Sequence, residues 1–326
     1  MLVKAVMRLT RGTATVFVPI ILLLTARVGR GAVTLDAVGL YLTKNGYGGA
    51  QLVHLGNFYH LPIQSNGKPG NLIVDTGSPT TLIFRSGLKR LNLIESKTTD
   101  HVSGAYGRGR DVYGLTTIKA LTAGNCTLTN VPVSVASEIS STHLKRTHSN
   151  GLLGLRELIE FGAVLDLRNH LVYLRPSRPG NSVASEIKSI LLRQGYIAVP
   201  LLLKDNHVYV AGGLNGVPCH FMVDTGSDVT SVHTNFAARA KLKVAATPLV
   251  DVGFGGSSPV GITTFPFLRI GNYEIRNGSA SVEYLNPQVF GANSGIAGCI
   301  GAEYLAINRA IFDFVSGTLY LCPPAH

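Results

Sequence analysis

The sequence predicts a mainly all-β fold in which two homologous, barrel-like lobes are related by a pseudo-two-fold axis and joined by a short linker helix. Three observations support this fold. A segment of 16 residues occurs twice, at 66–81 and 215–230, with a constant offset of 149. Both copies consist of short apolar runs that end in glycine turns, which is typical of buried strands. A single amphipathic helical pattern separates the two copies.

The duplication keeps its register far beyond the first segment. Residues 114–117 (Gly-Leu-Thr-Thr) correspond to 261–264 (Gly-Ile-Thr-Thr), and 151–154 (Gly-Leu-Leu-Gly) correspond to 298–301 (Gly-Cys-Ile-Gly), at an offset of 147. One length change of two residues therefore separates the copies. A fixed register over so many positions indicates an internal repeat of a whole structural unit.

The repeat sets the domain boundaries. We expect an N-terminal lobe over 50–176, a linker over 177–197 and a C-terminal lobe over 198–323. Within the linker, residues 182–194 are expected to form a helix that ends at Gly195. The apolar residues of this segment fall on one helical face: Val183, Ile187, Ile190 and Leu191.

The N-terminus has the features of a targeting segment. A basic stretch precedes the apolar residues 13–26, a run too short to span a bilayer comfortably. We expect residues 1–31 to be a secretory signal peptide, which makes the protein secreted or periplasmic. The alternative is an uncleaved N-terminal membrane anchor, because Pro19 interrupts the run and no A-x-A site follows. Residues 32–49 give no clear structural signal.

Composition and charge exclude several classes of function. The net charge of +11 falls to +6 once the five cations and no acids of residues 1–31 are removed, and the remaining basic pairs are scattered. We therefore expect no nucleic-acid partner and no membrane contact beyond an N-terminal anchor. The sequence contains no zinc, nucleotide or serine-hydrolase motif, so neither a metal nor a cofactor is expected. The pairing of the four cysteines stays open: Cys126, Cys219, Cys299 and Cys322.

The repeated segment places one aspartate in each lobe, Asp75 and Asp224, directly after an apolar run. Two carboxyl groups about 3 Å apart cannot both be charged, so they hold one proton between them. The ionised member can then act as a general base on water while the protonated member polarises a carbonyl group. Neither aspartate is the permanent base. A single Asp-Thr-Gly could be an ordinary strand-ending turn, but two in register favour a site.

Six neighbouring residues are expected to support the aspartates: Thr76, Gly77, Ser78, Thr225, Gly226 and Ser227. The glycines would let the backbone turn tightly and bring amide groups near the carboxylates. The threonines would hydrogen-bond across the axis and lock the two loops together. The serine hydroxyls would donate to the outer carboxylate oxygens and lower the pKa values of the pair.

With these motifs, the sequence resembles the pepsin and retropepsin superfamily of aspartic proteases. In that superfamily an apolar-apolar-Asp-Thr-Gly-Ser/Ala loop is followed later by an apolar-apolar-Gly segment. Both signatures occur twice here, at 72–78 with 152–154 and at 221–227 with 299–301. The resemblance covers nearly all of residues 50–323. The size and similarity of the two units resemble a fused, single-chain retropepsin pair.

The resemblance implies an exported aspartic endopeptidase in which Asp75 and Asp224 are the catalytic pair. It also implies a peptide or protein substrate bound in extended conformation between the lobes, and a monomer that acts as a pseudo-dimer. Members of the superfamily cover the substrate with a β-hairpin flap. Tyr106, within 102–117, and Phe254, within 252–264, are the candidate flap residues; alternatively both are ordinary hairpin residues.

Two other functions are compatible with the fold. A non-catalytic peptide-binding or inhibitor-like protein could keep the two lobes, although it would not need two carboxylates that are costly to bury. An acid hydrolase for a non-peptide bond would need carboxyl groups about 5–10 Å apart. Twin loops at one axis are expected to bring Asp75 and Asp224 closer than that.

Overall fold

The computed structural model describes residues 35–96, 101–104, 106–112, 114–137, 148–176, 181–253, 256–286, 290 and 295–323. The segment 1–31, predicted to be a signal peptide or anchor, lies outside these residues. Within the described ranges, no helix has both the length and the apolar character needed to cross a bilayer.

The N-terminal lobe is a seven-stranded sheet. In spatial order its strands are β2 (Val53–Leu55), β3 (Phe58–Ser65), β4 (Lys68–Val74), β10 (Gly151–Leu153), β5 (Leu82–Phe84), β9 (Cys126–Ala136) and β8 (Gly114–Ala123). A further pairing of β3 with β8 curls the sheet into a barrel-like shape. The lobe also contains the helices α2 (Arg85–Arg90) and α3 (Leu155–Glu160), and a separate hairpin of β6 (His101–Gly104) and β7 (Gly107–Val112).

The C-terminal lobe repeats this topology with one additional edge strand. Its order is β14 (Leu202–Lys204), β15 (His207–Leu214), β16 (Val217–Val223), β21 (Ile296–Ile300), β17 (Ser231–His233), β20 (Tyr273–Glu283), β19 (Gly256–Ile270) and β18 (Val244–Gly253). Here β15 pairs with β19 in the same closing position. The helices of this lobe are α5 (Thr234–Arg239) and α6 (Ala302–Ile307). The mainly β, two-lobed fold predicted from the repeat is confirmed.

Equivalent hairpin turns precede both aspartate loops. Asn66 and Gly67 connect β3 to β4 with φ values of 50° and 79°, and Asn215 and Gly216 connect β15 to β16 with 49° and 80°. A two-residue hairpin with positive φ at both positions matches the twist of the flanking strands and favours Asn-Gly. These turns fix the register of the strands that lead to the aspartates.

A third sheet of six strands joins the two lobes. Its order is β1 (Gly48–Gln51), β12 (Leu171–Leu174), β11 (Val164–Asp166), β22 (Ile311–Asp313), β23 (Thr318–Leu321) and β13 (Ile197–Pro200). At its centre Leu165 pairs with Phe312, which is its equivalent residue in the repeat at an offset of 147. On either side, Val164 pairs with Asp313 and Asp166 pairs with Ile311, so each of these pairs consists of the equivalents of the other. The pseudo-two-fold axis therefore passes between Leu165 and Phe312.

Two helices cover this sheet. The predicted linker helix is confirmed as α4 (Asn181–Arg193), and Gly195, with φ of 83°, follows its end. All four residues predicted for its apolar face are 8% exposed or less. A helix that the sequence did not reveal, α1 (Ala37–Lys44), contacts α4 and is capped by Asp36, whose carboxylate accepts a hydrogen bond from the Gly39 amide at 2.9 Å.

Candidate active site

Asp75 and Asp224 each follow the last residue of a buried strand. The three residues before Asp75, at the end of β4, are all 1% exposed or less, and those before Asp224 at the end of β16 are at most 3% exposed. The Asp75 amide donates to the Leu153 carbonyl at 2.9 Å, and the Asp224 amide donates to the Ile300 carbonyl at 3.0 Å. The apolar-apolar-Gly segments, as strands β10 and β21, therefore hold the backbone of both aspartates in place.

The two carboxyl groups lie next to each other at the axis and interact directly. Each also lies against the glycine of the opposite loop. A Cβ atom added to Gly77 would lie 2.4 Å from Cγ of Asp224, and one added to Gly226 would lie 2.3 Å from Cγ of Asp75. The structure thus brings together the two aspartates that the sequence singled out.

Gly77 and Gly226 lie in turns, as predicted, but neither has a positive φ, so the backbone conformation alone does not require glycine at these positions. The reason is space, because any side chain would overlap the carboxyl group of the other lobe. The expected amide contacts are present: Gly77 N–H donates to Asp75 Oδ1 at 2.9 Å, and Gly226 N–H donates to Asp224 Oδ1 at 2.8 Å.

The two threonines lock the loops together through four reciprocal hydrogen bonds. The Thr76 hydroxyl donates to the Val223 carbonyl at 2.8 Å and accepts from the Thr225 amide at 3.0 Å. The Thr225 hydroxyl donates to the Val74 carbonyl at 2.7 Å and accepts from the Thr76 amide at 3.1 Å. Both threonines are fully buried. Each loop therefore fixes the backbone directly before the aspartate of the other lobe.

The prediction for the serine hydroxyls is wrong. The Ser78 hydroxyl donates to the Thr80 carbonyl at 2.9 Å, and the Ser227 hydroxyl donates to the Val229 carbonyl at 2.8 Å. Both hydroxyls thus stabilise their own loops, as Ser commonly does in turns. Ser78 does reach Asp75, but through its backbone amide at 2.9 Å.

Burial and the adjacent Asp224 carboxyl raise the pKa of Asp75 well above its usual range, against the opposing effect of the Ser78 and Gly77 amides. Burial likewise raises the pKa of Asp224. Desolvation disfavours a charge, and two charges in contact disfavour each other. The pair therefore retains a proton at pH values where isolated carboxyl groups have lost theirs, while the amide donors stabilise the one remaining charge.

Two glutamates that the sequence reasoning missed, the buried Glu157 and the partly buried Glu303, stabilise the loops beyond the motifs. Glu157, in α3, accepts from the Thr81 amide at 2.8 Å, and Glu303, in α6, accepts from the Thr230 amide. Thr81 and Thr230 are equivalent in the repeat, but Glu157 and Glu303 are one position out of register. The sequence feature that could have identified these contacts is an acidic residue in the first turn of each helix.

The structure places the candidate flap residue Tyr106 at the turn between β6 and β7. Its hydroxyl bonds to Asp251 at 2.6 Å and to Glu283, both in the C-terminal lobe. Phe254, the other candidate, lies outside the described residues. Gly256, two residues further along the chain at the start of β19, lies next to Tyr106. A Cβ atom added to Gly256 would be 3.8 Å from the Cβ atom of Tyr106. The tips of the two hairpins therefore adjoin.

No group of three or more His, Cys, Asp or Glu residues suited to hold a metal ion occurs among the residues that the structure describes. All four cysteines are free thiols, which answers the question of pairing that the sequence left open. Cys299, which replaces an apolar residue of the repeat, is buried with its sulfur 3.1 Å from the Ser231 hydroxyl.

A protein-family model described as Aspartyl protease matches the chain twice, over residues 61–156 and 210–304. Each match contains one Asp-Thr-Gly-Ser loop and one apolar-apolar-Gly segment, and together the two matches cover more than half of the chain. The double match confirms the predicted resemblance and its tandem arrangement. No curated protein sequence matches the chain.

Proposed function

The chain belongs to the aspartyl protease family, and we propose that it is an endopeptidase whose Asp75 and Asp224 together activate water for peptide-bond hydrolysis. The observation that carries this proposal is the close approach of the two carboxyl groups at the axis, where each packs against the glycine of the opposite loop. Two carboxyl groups in contact and sharing one proton supply a general base and a general acid at the same place.

The mechanism uses only the pair and water. The ionised carboxylate takes a proton from a water molecule, whose oxygen attacks the carbonyl carbon of the peptide bond. The protonated carboxyl group donates to the carbonyl oxygen, which stabilises the tetrahedral intermediate. Transfer of a proton to the leaving nitrogen then breaks the carbon–nitrogen bond. The pair returns to its singly protonated form, so either Asp75 or Asp224 can serve as the base.

The substrate that best suits this site is a peptide in extended conformation. We propose that the hairpin β6–β7, with Tyr106 at its turn, and the hairpin β18–β19 cover it as flaps, and that Phe254 contributes to the second flap. A single chain supplies both carboxyl groups, and the six-stranded sheet already joins the lobes across the axis. These features support a monomer that functions without a second copy and without a cofactor.

Residues 1–31 support export to a secreted or periplasmic location, because a basic stretch precedes a short apolar run. Mass spectrometry of the N-terminus after expression in a secreting host tests this point. Loss of the first ~30 residues is the expected result. An intact N-terminus in a membrane fraction would instead support an anchor.

Hydrolysis of a denatured protein at about pH 4 tests the proposed activity. We expect the wild-type protein to cleave it, a hydroxyl-containing transition-state analogue to block cleavage, and both Asp75→Asn and Asp224→Asn to abolish it. Activity that survives in either variant would overturn the mechanism. Binding of an extended peptide without cleavage would favour the alternative, a non-catalytic peptide-binding or inhibitor-like protein.

A further inference from the structure

Tyr106 forms a polar contact between the lobes that the proposed mechanism does not use. Its phenol oxygen lies within hydrogen-bond distance of Asp251 Oδ2, at 2.6 Å, and of Glu283 Oε2. Its ring packs against an apolar cluster of the C-terminal lobe, which consists of Tyr209, Met222, Leu285, Phe290, Ile296 and Cys299. The contact therefore joins the turn of hairpin β6–β7 to the body of the opposite lobe.

The number of protons limits how this contact can form. A phenol group has one hydrogen and can donate to only one of the two carboxyl groups. If both were ionised, the second carboxylate oxygen would face the lone pairs of the phenol oxygen and repel them. One carboxyl group must therefore be protonated and donate to Tyr106, while Tyr106 donates to the other.

Glu283 is the better place for this proton. Its side chain is 1% exposed, whereas Asp251 is partly exposed and accepts a hydrogen bond from the Val252 amide at 2.8 Å. Burial raises the pKa of Glu283, and the charges of Asp251 and Asp228 raise it further.

The other titratable groups near Glu283 do not supply a compensating cation. His233, which pairs with Glu283 across strands β17 and β20, is buried, and burial lowers its pKa and favours the neutral imidazole. Ser281 and Tyr106 are hydrogen-bonded to it, which opposes the rise in its pKa, and the buried Cys299 thiol lies close to it. Among the described residues, no ion pair involves Glu283 or Asp251. A negative charge on Glu283 would therefore face Asp251 and Asp228 with only hydroxyl donors to stabilise it.

We propose that Tyr106, Asp251 and Glu283 form a proton-dependent latch, which holds hairpin β6–β7 against the C-terminal lobe while Glu283 is protonated and releases it when Glu283 ionises. The latch is specific to one side of the molecule. The residue of the N-terminal lobe that is equivalent to Glu283, at the end of β9, is the fully buried Ala136.

The position of the latch connects it to the proposed protease activity, and this step rests on that proposal. Cys299, in the cluster beneath the Tyr106 ring, lies 3.7 Å from the hydroxyl of Ser227 in the second aspartate loop. A closed latch thus places the turn of the hairpin on a cluster that contacts the second aspartate loop. Glu283 is then a positioning residue for the hairpin, and its protonation sets the pH range in which the hairpin covers this surface.

Hydrogen–deuterium exchange of the hairpin tests the latch without any measure of hydrolysis. Amide protection of residues 101–112, corrected for intrinsic exchange rates, is compared at about pH 4, below the raised pKa of Glu283, and at about pH 7.5, well above the usual carboxyl range. We expect protection in the wild-type protein to fall about tenfold at the higher pH, the scale of one hydrogen bond to a charged group. Equal protection at both pH values would overturn the proposal.

Variants separate the latch from general stability. Glu283→Gln carries a permanent donor toward the phenol oxygen and is expected to keep the hairpin protected at both pH values. Tyr106→Phe keeps the ring and is expected to lose protection at both. The matched control is Glu274→Gln, an exposed glutamate in the same strand, which should follow the wild type. If Glu283→Gln also follows the wild type, the latch is excluded.

The outcome is independent of the proposed function. If the protein is inactive but protection of the hairpin depends on pH, the latch is supported and the protease proposal is refuted. If the protein is active but protection of the hairpin does not depend on pH, the protease proposal is supported and the latch is refuted. If both proposals hold, Glu283→Gln should change the pH dependence of KM for a peptide and leave kcat within about twofold, because Glu283 does not touch the reacting atoms.

Discussion

Replacement of Thr76 by valine removes one hydroxyl group from the axis and keeps the shape of the side chain. Thr76 is fully buried, and its hydroxyl serves two backbone groups of the other lobe, the Val223 carbonyl at 2.8 Å and the Thr225 amide at 3.0 Å. Both groups would remain buried without a partner in Thr76→Val. The variant therefore isolates the hydrogen bonds from the packing.

The expected cost follows from these two orphaned groups. Each buried polar group left without a partner costs about 1–3 kcal/mol, so Thr76→Val should lower the free energy of unfolding by about 2–6 kcal/mol. At roughly 2–4 °C per kcal/mol in a protein of this size, Tm should fall by about 4–24 °C. Because Val223 directly precedes Asp224, we also expect kcat/KM to fall by about a hundredfold if the carboxyl groups separate by about 1 Å.

Urea unfolding and thermal unfolding measure the stability, and peptide hydrolysis measures the activity. Thr225→Val is the symmetry-related test and should cost about as much, because its hydroxyl makes the equivalent bonds to the Val74 carbonyl and the Thr76 amide. Thr129→Val, on an exposed face of β9, is the control and should stay within about 0.5 kcal/mol of the wild type. A Thr76→Val protein that is as stable as this control would refute the reasoning.

Three further predictions concern residues around the pair. Gly226→Ala should abolish hydrolysis, because the added Cβ would lie 2.3 Å from Cγ of Asp75; Gly67→Ala, with open space around it but φ of 79°, should lose stability and keep activity in the same assay. Asp75→Asn should raise Tm by a few degrees at pH 7 and by much less at pH 3. The pKa of Asp75 is raised in the folded state, so its contribution to stability is fully present below the pKa of the unfolded state and is lost as the pH rises through the pKa of the folded state. Asn does not ionise, so the variant avoids this loss at pH 7. An equal gain in Tm at both pH values, measured by calorimetry, would contradict this reasoning. Glu157→Ala should lower the free energy of unfolding by about 1–3 kcal/mol in urea, since the buried Thr81 amide loses its acceptor; no change in the midpoint would show that this contact is dispensable.

The sequence was sufficient to predict the features that follow from the internal repeat. Two copies of one segment at a constant offset imply that equivalent residues face each other across an axis, and this places Asp75 beside Asp224 and Thr76 beside Thr225. The Asn-Gly turns and the linker helix were predictable because each depends on local conformational preferences or on a clear apolar face.

The remaining features depend on contacts that no local pattern encodes. Helix α1 has only eight residues, including Gly39 and Thr43, and an isolated helix of this length is marginal in water; burial of Val38 and Leu42 against the six-stranded sheet stabilises it. The role of Gly77 and Gly226 likewise follows from the opposite carboxyl group and not from their own turn.

The contact between Tyr106 and Glu283 escaped the sequence reasoning for a different reason. Its partners are 177 residues apart and lie at positions where the two copies differ, so the repeat gives no guide to it. The hydrogen bonds of the serine hydroxyls were mispredicted for a local reason. A carbonyl two residues away in the same loop competes successfully with the carboxylate, and sequence alone does not decide between two acceptors within reach.

The central claim is that Asp75 and Asp224 hold one proton in common, and carboxyl carbon NMR tests it most directly. In protein labelled with carbon-13 at aspartate Cγ, single Asp→Asn variants assign the two signals, and their shifts are followed across pH. We predict that both signals move together in each of two steps, and that the last proton leaves well above the usual carboxyl range. Two signals that titrate independently within the ordinary range would contradict the account.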